Sequence, residues 1–188
     1  MRMVNLSRVS QDDRVAATDI ATRAKVDLRD CYQCGKCSAG CPMADAMDMR
    51  PQEVMRNLQL GLLGEVLKAQ GPWLCAGCEV CATRCPQNIE IATLMQEVRR
   101  ASKETGCNPA PDSDKFEELF IKNVHRHGRS NEQYLAARYN LATRHLFQDV
   151  ANAPRMMSRG MIGVKTHEVK DKDAVRRIIG RCLKKDGE

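Results

Sequence analysis

The chain has 188 residues, a formal charge of +6, 4% aromatic residues and ten cysteines. That length allows one compact domain or two small ones. A core so poor in large side chains gains from an added staple, for which the cysteines offer the material. The basic residues are scattered, with no run of five and little aromatic interleaving, which argues against nucleic acid as a partner; the start MRMVNLSRVSQDD has no apolar signal region, and GLLGEVL, the most apolar run, is broken by Glu65.

In chain order, residues 10–25 read as a short Ala-rich helix, with Ser10 and Asp13 at capping-box spacing. Asp27 to Asp30 lead into CYQCGKCSAGCP, residues 31–42. Pro51 suits a first helical turn, Val54, Met55 and Leu58 form an apolar stripe, and Gly61 ends it. Residues 63–69 predict a second short helix, stopped by Gly71-Pro72. CAGCEVCATRCP follows at 75–86, then a helix over 89–104 that closes at Gly106. CNPAPDSD, residues 107–114, reads as a linker. Beyond it Phe116, Leu119, Phe120 and Val124 make a helical stripe ended by HRHGR. Ser130 and Gln133 are placed to cap a further helix bearing Leu135, Tyr139, Ala142, Leu146 and Val150, stopped by Pro154. Residues 155–170 lack periodicity, and 172–185 predict a last helix with Val175, Ile178, Ile179, Cys182 and Leu183 on one face. No stretch carries strand periodicity or a hairpin turn pair.

The two cysteine runs are copies. At the constant offset that takes Cys31 to Cys75, Cys34, Cys37, Cys41 and Pro42 fall on Cys78, Cys81, Cys85 and Pro86. The match continues into the next segment, where Gln52, Glu53, Val54 and Arg56 fall on Gln96, Glu97, Val98 and Arg100. A period that spans a loop and the helix after it predicts two related units.

The spacing C-x2-C-x2-C-x3-C-P is the bacterial signature of a [4Fe-4S] cubane, and two runs predict two clusters. Structural zinc uses pairs of C-x2-C parted by a longer loop, a pattern absent here. Nothing in the sequence favours disulfides, since the chain reads as soluble and cytoplasmic, where clustered thiols bind metal more often than they pair. In two-cluster ferredoxins the fourth cysteine of each run serves the other cluster. Carried onto this chain, that gives Cys31, Cys34, Cys37 and Cys85 to cluster 1, and Cys75, Cys78, Cys81 and Cys41 to cluster 2. Crossed ligation keeps the clusters close and couples their binding to folding. Two cubanes at a net charge of about −2 each would leave the +6 chain at roughly +2, so much of its basicity counterbalances the site.

Around the ligands, Lys36 and Arg84 are candidates to offset cluster charge, and Pro42 and Pro86 turn the chain away after each run. Trp73 reads as a core residue or a water shield. Met43, Met47, Met49 and Met55 read as helix packing rather than ligands. Cys182 falls on an apolar face and reads as core, Cys107 as a free or half-buried thiol, and His125-Arg126-His127-Gly128 as a helix C-terminus. There is no Gly-rich dinucleotide fingerprint, no P-loop, and no nucleophile beside a recognisable base. The chain alone reads as a carrier of single electrons rather than a catalyst.

CYQCGKCSAGCP, MDMRPQEVMRNLQLG and WLCAGCEVCATRCP, with the helix after it, resemble the C-type iron–sulfur subunit of the heterodisulfide reductases over residues 28–104. The resemblance implies a mainly α fold: an α-helical ferredoxin-like module for two [4Fe-4S] clusters at 31–106, a helical N-terminal segment at 1–30, and a helical extension at 107–188. Related iron–sulfur proteins add a [2Fe-2S] domain, for which this chain is too short, or adjacent-cysteine motifs, which it lacks. The resemblance further implies a complex with an A-type flavoprotein, capable of flavin-based bifurcation, and a B-type disulfide-reducing protein, with a hydrogenase or dehydrogenase in the larger assembly. Residues 155–170 and the tail helices are then expected docking surfaces. No membrane span is expected.

Overall fold

Ser10 caps helix α1 (Gln11–Arg23), its Oγ accepting the Asp13 backbone N–H at 3.0 Å, as the capping spacing predicts. A computed structural model describes residues 9–145, 153–160 and 169–185. Among them there is no strand, and the fold is mainly α. The chain divides into two compact units, residues 1–110 and 111–188.

In the first unit a 3-10 turn, Leu28–Asp30, leads to the first cysteine loop, which contains the single-turn helix α2 (Lys36–Ala39). Helix α3 (Pro51–Leu60) opens with proline in its first turn, where the missing N–H costs nothing, and the Arg50 N–H donates to Glu53 Oε2 at 2.7 Å. Gly61 ends α3 in the left-handed region, at φ 75°. Helix α4 (Leu63–Leu67) follows, then the second cysteine loop with α5 (Val80–Thr83) and the long α6 (Ile91–Glu104). Ile89 and Glu90, expected in that last helix, precede it.

The core is built from the predicted stripes. Val54, Met55 and Leu58 of α3, Leu94, Met95 and Val98 of α6, Ala17, Ile20 and Ala21 of α1 and Val66 of α4 belong to one cluster, in which α1 and α4 pack against both α3 and α6. Val54, Met55, Val66, Leu94 and Met95 are fully buried. Truncating any of these large side chains removes transfer energy and leaves a cavity, a loss of about 2–5 kcal/mol for Leu or Met to Ala. The Ser102 hydroxyl, itself buried, donates to the Leu67 carbonyl at 2.6 Å and ties α6 to α4. Helix α1, expected in a segment of its own, shares this core.

The second unit holds α7 (Pro111–His127), α8 (Glu132–Thr143), α9 (Ala153–Ser158) and α10 (Lys172–Lys185). Five expectations are corrected here. Pro111 to Asp114 are not linker but the first turn of α7, with Asp112 and Asp114 at the positive end of the helix dipole. The cap of α8 is Asn131, whose side chain accepts the Tyr134 N–H at 3.1 Å, one residue after the expected Ser130. Helix α8 ends at Thr143, and Pro154 lies in the first turn of α9 instead of stopping α8; Leu146 and Val150 lie outside the described residues, as do residues 161–168 of the non-periodic stretch. The expected apolar stripes are only partly covered: Leu119 and Leu135 are buried, but Phe116, Phe120, Ile178 and Leu183 are exposed. Cys182, expected in a core, is exposed too. Helix α7 closes at Gly128, at φ 78°, with His125, Arg126 and His127 in its last turn, as the composition of HRHGR predicts.

Candidate metal centre

The repeat is written into the backbone. Helices α2 and α5 sit at the same place in their loops, each preceded by a left-handed residue, Gly35 at φ 78° and Glu79 at φ 60°. Gln33 at φ 64° and Gly77 at φ 62° form a second left-handed pair. The hydrogen bonds match in step: Cys31 N–H to Leu28 O and Cys75 N–H to Pro72 O, then Cys41 N–H to Ser38 O and Cys85 N–H to Ala82 O. Each loop thus curls in the same way around one turn of helix.

The loops are held against each other. Helix α2 packs on α5. A Cβ at Gly40 would lie 2.6 Å from Arg84 Cδ, so the Arg84 side chain crosses onto the first loop over a glycine that leaves it room. Asp48 reaches the approach to the second loop, accepting the Gln70 and Gly71 N–H groups at 2.9 and 2.7 Å.

A narrow cleft between the loops is lined by Cys41, Cys75, Cys78 and Cys81, together with Pro42, Met43, Met47, Ala92 and Met95. It therefore brings the last cysteine of the first run beside the first three of the second. Tyr32, exposed beside the first loop, has its hydroxyl raised by partial desolvation first, then by the charge of Cys34 and a hydrogen bond with it, and last by the charge of Cys85. Cys37 and Cys81 are the buried members of their runs. Burial pushes the Cys81 thiol up to about 11, with the charges of Cys75 and then Cys37 adding to the effect. Cys37 is raised for the same leading reason, with Cys31 contributing. Bare thiolates are disfavoured in such a setting, and a positively charged iron–sulfide core is the partner that stabilises them.

All ten cysteines are free thiols, so the donor set fits two cubanes. Among the described residues no three donors converge on a single ion, a convergence that a cubane does not require because each thiolate takes a different iron. Cys31 also faces an open groove lined by Arg14, Arg29, Tyr32, Gln52 and Arg56.

The remaining candidates separate. Pro42 lines the cleft, whereas Pro86 and Lys36 are exposed outside it. Trp73 is a buried core residue, with the Arg99 guanidinium 5.1 Å above its ring. Met47 and Met55 are buried, and Met43 and Met49 pack on the same core. Cys107 is half-buried, its thiol near the Thr105 carbonyl. Gln52, part of the repeat, binds the first loop together with Gln33 and Gln59, which the motif spacing does not single out. Gln52 Nε2 donates to the Gln33 carbonyl at 3.1 Å, and Gln59 Nε2 to the Leu28 and Cys31 carbonyls at 2.7 and 2.8 Å. The available signal was the repeat, which sets Gln33 against Gly77.

Residues 27–89 match the 4Fe-4S dicluster domain, a domain that takes two [4Fe-4S] clusters. The chain is similar to the C-type iron-sulfur subunit of the CoB–CoM heterodisulfide reductase of Methanopyrus kandleri, at 36% identity over 43% of this chain and 42% of the relative. It is also similar to the C-type subunit of the H2:CoB-CoM heterodisulfide,ferredoxin reductase of Methanothermobacter thermautotrophicus, at 27% over 66% of each. A third relative, the C-type subunit of the ferredoxin:CoB-CoM heterodisulfide reductase of Methanosarcina acetivorans, is 33% identical over 48% of this chain and 36% of its own length. The matched stretch thus spans between about a third and two thirds of these relatives. No helix among the described residues is long and apolar enough to cross a membrane.

Proposed function

We propose that this chain, with its dicluster domain at 27–89, relays single electrons in a heterodisulfide-reductase-like complex, from an A-type flavoprotein to a B-type disulfide reductase. The observation that carries the reading is the cleft that gathers Cys41 with Cys75, Cys78 and Cys81. In this reading Cys31, Cys34, Cys37 and Cys85 hold the companion cluster. When bound, the clusters supply one-electron carriers. The polypeptide's part is to hold them side by side, with α2 and α5 in contact, and to bury Cys37 and Cys81 so that water is excluded between them. Each loop lends a thiol to the other's site, so neither site is complete until both loops are folded.

Iron and acid-labile sulfide analysis with EPR of the reduced chain tests this. The expected result is about eight irons per chain in two magnetically coupled cubanes. Tetrahedral zinc with no EPR signal would make the chain a metal-stabilised binding module and overturn the redox reading.

A second reading, an adaptor serving another flavoprotein, draws support from the relatives themselves. Their names pair this type of iron–sulfur protein with H2 in one case and ferredoxin in another. The electron donor is then a property of the complex, and co-purification of the partner proteins distinguishes the two readings.

In the tail, Ile178 and Leu183 stand exposed on α10, and Arg177 and Arg181 are exposed on the same helix, a surface suited to a partner with apolar and acidic groups. Deleting residues 151–188 is expected to weaken assembly with the partner proteins while leaving iron content and the cluster EPR signal unchanged. Assembly at wild-type strength in a pull-down would remove the docking role.

A further inference from the structure

The two cysteine loops share a backbone, but one side chain makes them unequal. Gln33 occupies the position that Gly77 holds in the second loop, both left-handed. A Cβ added at Gly77 would meet nothing within 4 Å, so the second loop leaves open space where the first carries an amide. Glycine adopts that conformation at lower cost than any L residue, so a glutamine there calls for a reason.

The reason is visible in its contacts. Gln33 Nε2 lies 3.4 Å from Cys31 Sγ and 3.1 Å from Gln59 Oε1. The direction of this relay follows from its far end. Gln59 meets the carbonyls of Leu28 and Cys31, which can only accept, so it must present its amide nitrogen to them and its oxygen to Gln33. Gln33 in turn must present its nitrogen to Gln59, which leaves the second hydrogen of that NH2 group for the sulfur. Gln52 holds the Gln33 carbonyl from the other side, and its own backbone N–H is held by Ser38 Oγ at 2.9 Å. The side-chain amide is thus held through its nitrogen by Gln59, and the backbone that carries it is held by Gln52.

We infer that Gln33 sets the reduction potential of the cluster bound by Cys31, raising it above that of the cluster in the second loop and so giving the two-cluster path a direction. The inference rests on the reading of Cys31 as a cluster ligand. Reduction adds one electron to the cluster; no bond breaks, and the amide protons stay on Nε2. The added negative charge spreads onto the thiolate sulfurs, and an N–H aimed at Cys31 Sγ stabilises the reduced state more than the oxidised one. Gly77 offers Cys75 no such side-chain donor. An electron entering the pair therefore rests on the Cys31 side. Gln33 touches the ligand rather than the irons, and it is a positioning residue.

The test is a potentiometric titration of the full-length, iron-loaded chain, followed by EPR. In Gln33→Gly the higher of the two midpoints is expected to fall toward the lower one, which stays in place, with iron content unchanged. Two midpoints that do not move, or that move together, overturn the inference. If Gln33→Gly sheds iron, Gln33→Met decides: it keeps the length of the side chain and removes its N–H donor, and a fall of the higher midpoint alone supports the inference while an unmoved one overturns it. A wild-type chain without cubane iron fails separately, in the metal analysis, and overturns the cofactor reading and this one together.

Discussion

Serine in place of Cys41 is expected to strip the cluster from Cys75, Cys78 and Cys81 while the other three cysteines of its own run keep theirs. The cleft supplies the reason: Cys41 stands there with the second run, among Met43, Met47, Ala92 and Met95. A serine hydroxyl loses its proton far less readily than a thiol, so the fourth corner of that site would be left without an anionic ligand. About half of roughly eight irons should be lost. Pairwise substitution shows which half. Cys34 and Cys78 are the exposed members of their runs, so serine at either disturbs packing least. Cys41→Ser combined with Cys78→Ser should lose no more iron than either alone, because both empty one site. Cys41→Ser combined with Cys34→Ser should lose both clusters. The reverse pattern, with Cys41 additive to Cys78 and not to Cys34, would mean that each run ligates only its own cluster. Iron content by colorimetry and spin quantitation of the reduced variants read the same pattern independently.

What could be read from sequence follows a physical division. Cysteine spacing is local covalent chemistry, so the paired runs were legible, and so was the offset that sets α2 against α5. Helix starts at Ser10 and Pro51 were legible because a cap is a contact between near neighbours. The misplaced features turn on distant contacts. Ser130 and Asn131 are both good caps, and the choice between them goes with Asn123, fully buried, whose Nδ2 donates to the Asn131 carbonyl at 3.0 Å. Pro111 reads equally as a linker breaker or a first helical residue; Asp112 and Asp114 favour the second, and the helix that follows is long enough to gain from it. Periodicity put Cys182 on an apolar face of α10 but carries no information about whether another element covers that face. Gln33 escaped for a different reason: nothing in a cysteine motif shows that the intervening residue returns an amide to the sulfur.

Alanine at Gly71 is expected to unfold the approach to the second loop. The added Cβ would sit 2.0 Å from the Met49 carbonyl oxygen and 3.0 Å from its carbon, both backbone atoms that cannot rotate away. Shifting the 70–71 turn would also break its two N–H bonds to Asp48, at 2.9 and 2.7 Å. Overpacking against backbone together with two lost bonds to a charged group gives a loss of roughly 3 kcal/mol or more. Because Cys75 follows this turn and Cys41 precedes Asp48 by a short stretch, the same shift pulls apart the two segments that meet at the cleft, so iron should be lost along with stability. Gly64→Ala is the control. Gly64 lies in α4, exposed, with nothing within 4 Å of an added Cβ, and alanine there should be neutral or stabilising by up to about 1 kcal/mol. Thermal unfolding of the iron-loaded chain and iron content per chain read both variants. Equal effects at the two glycines would mean that the loss is one of chain flexibility; a large loss at Gly71 alone assigns it to the close passage of the 70–71 turn under Met49, the contact through which the first loop positions the second.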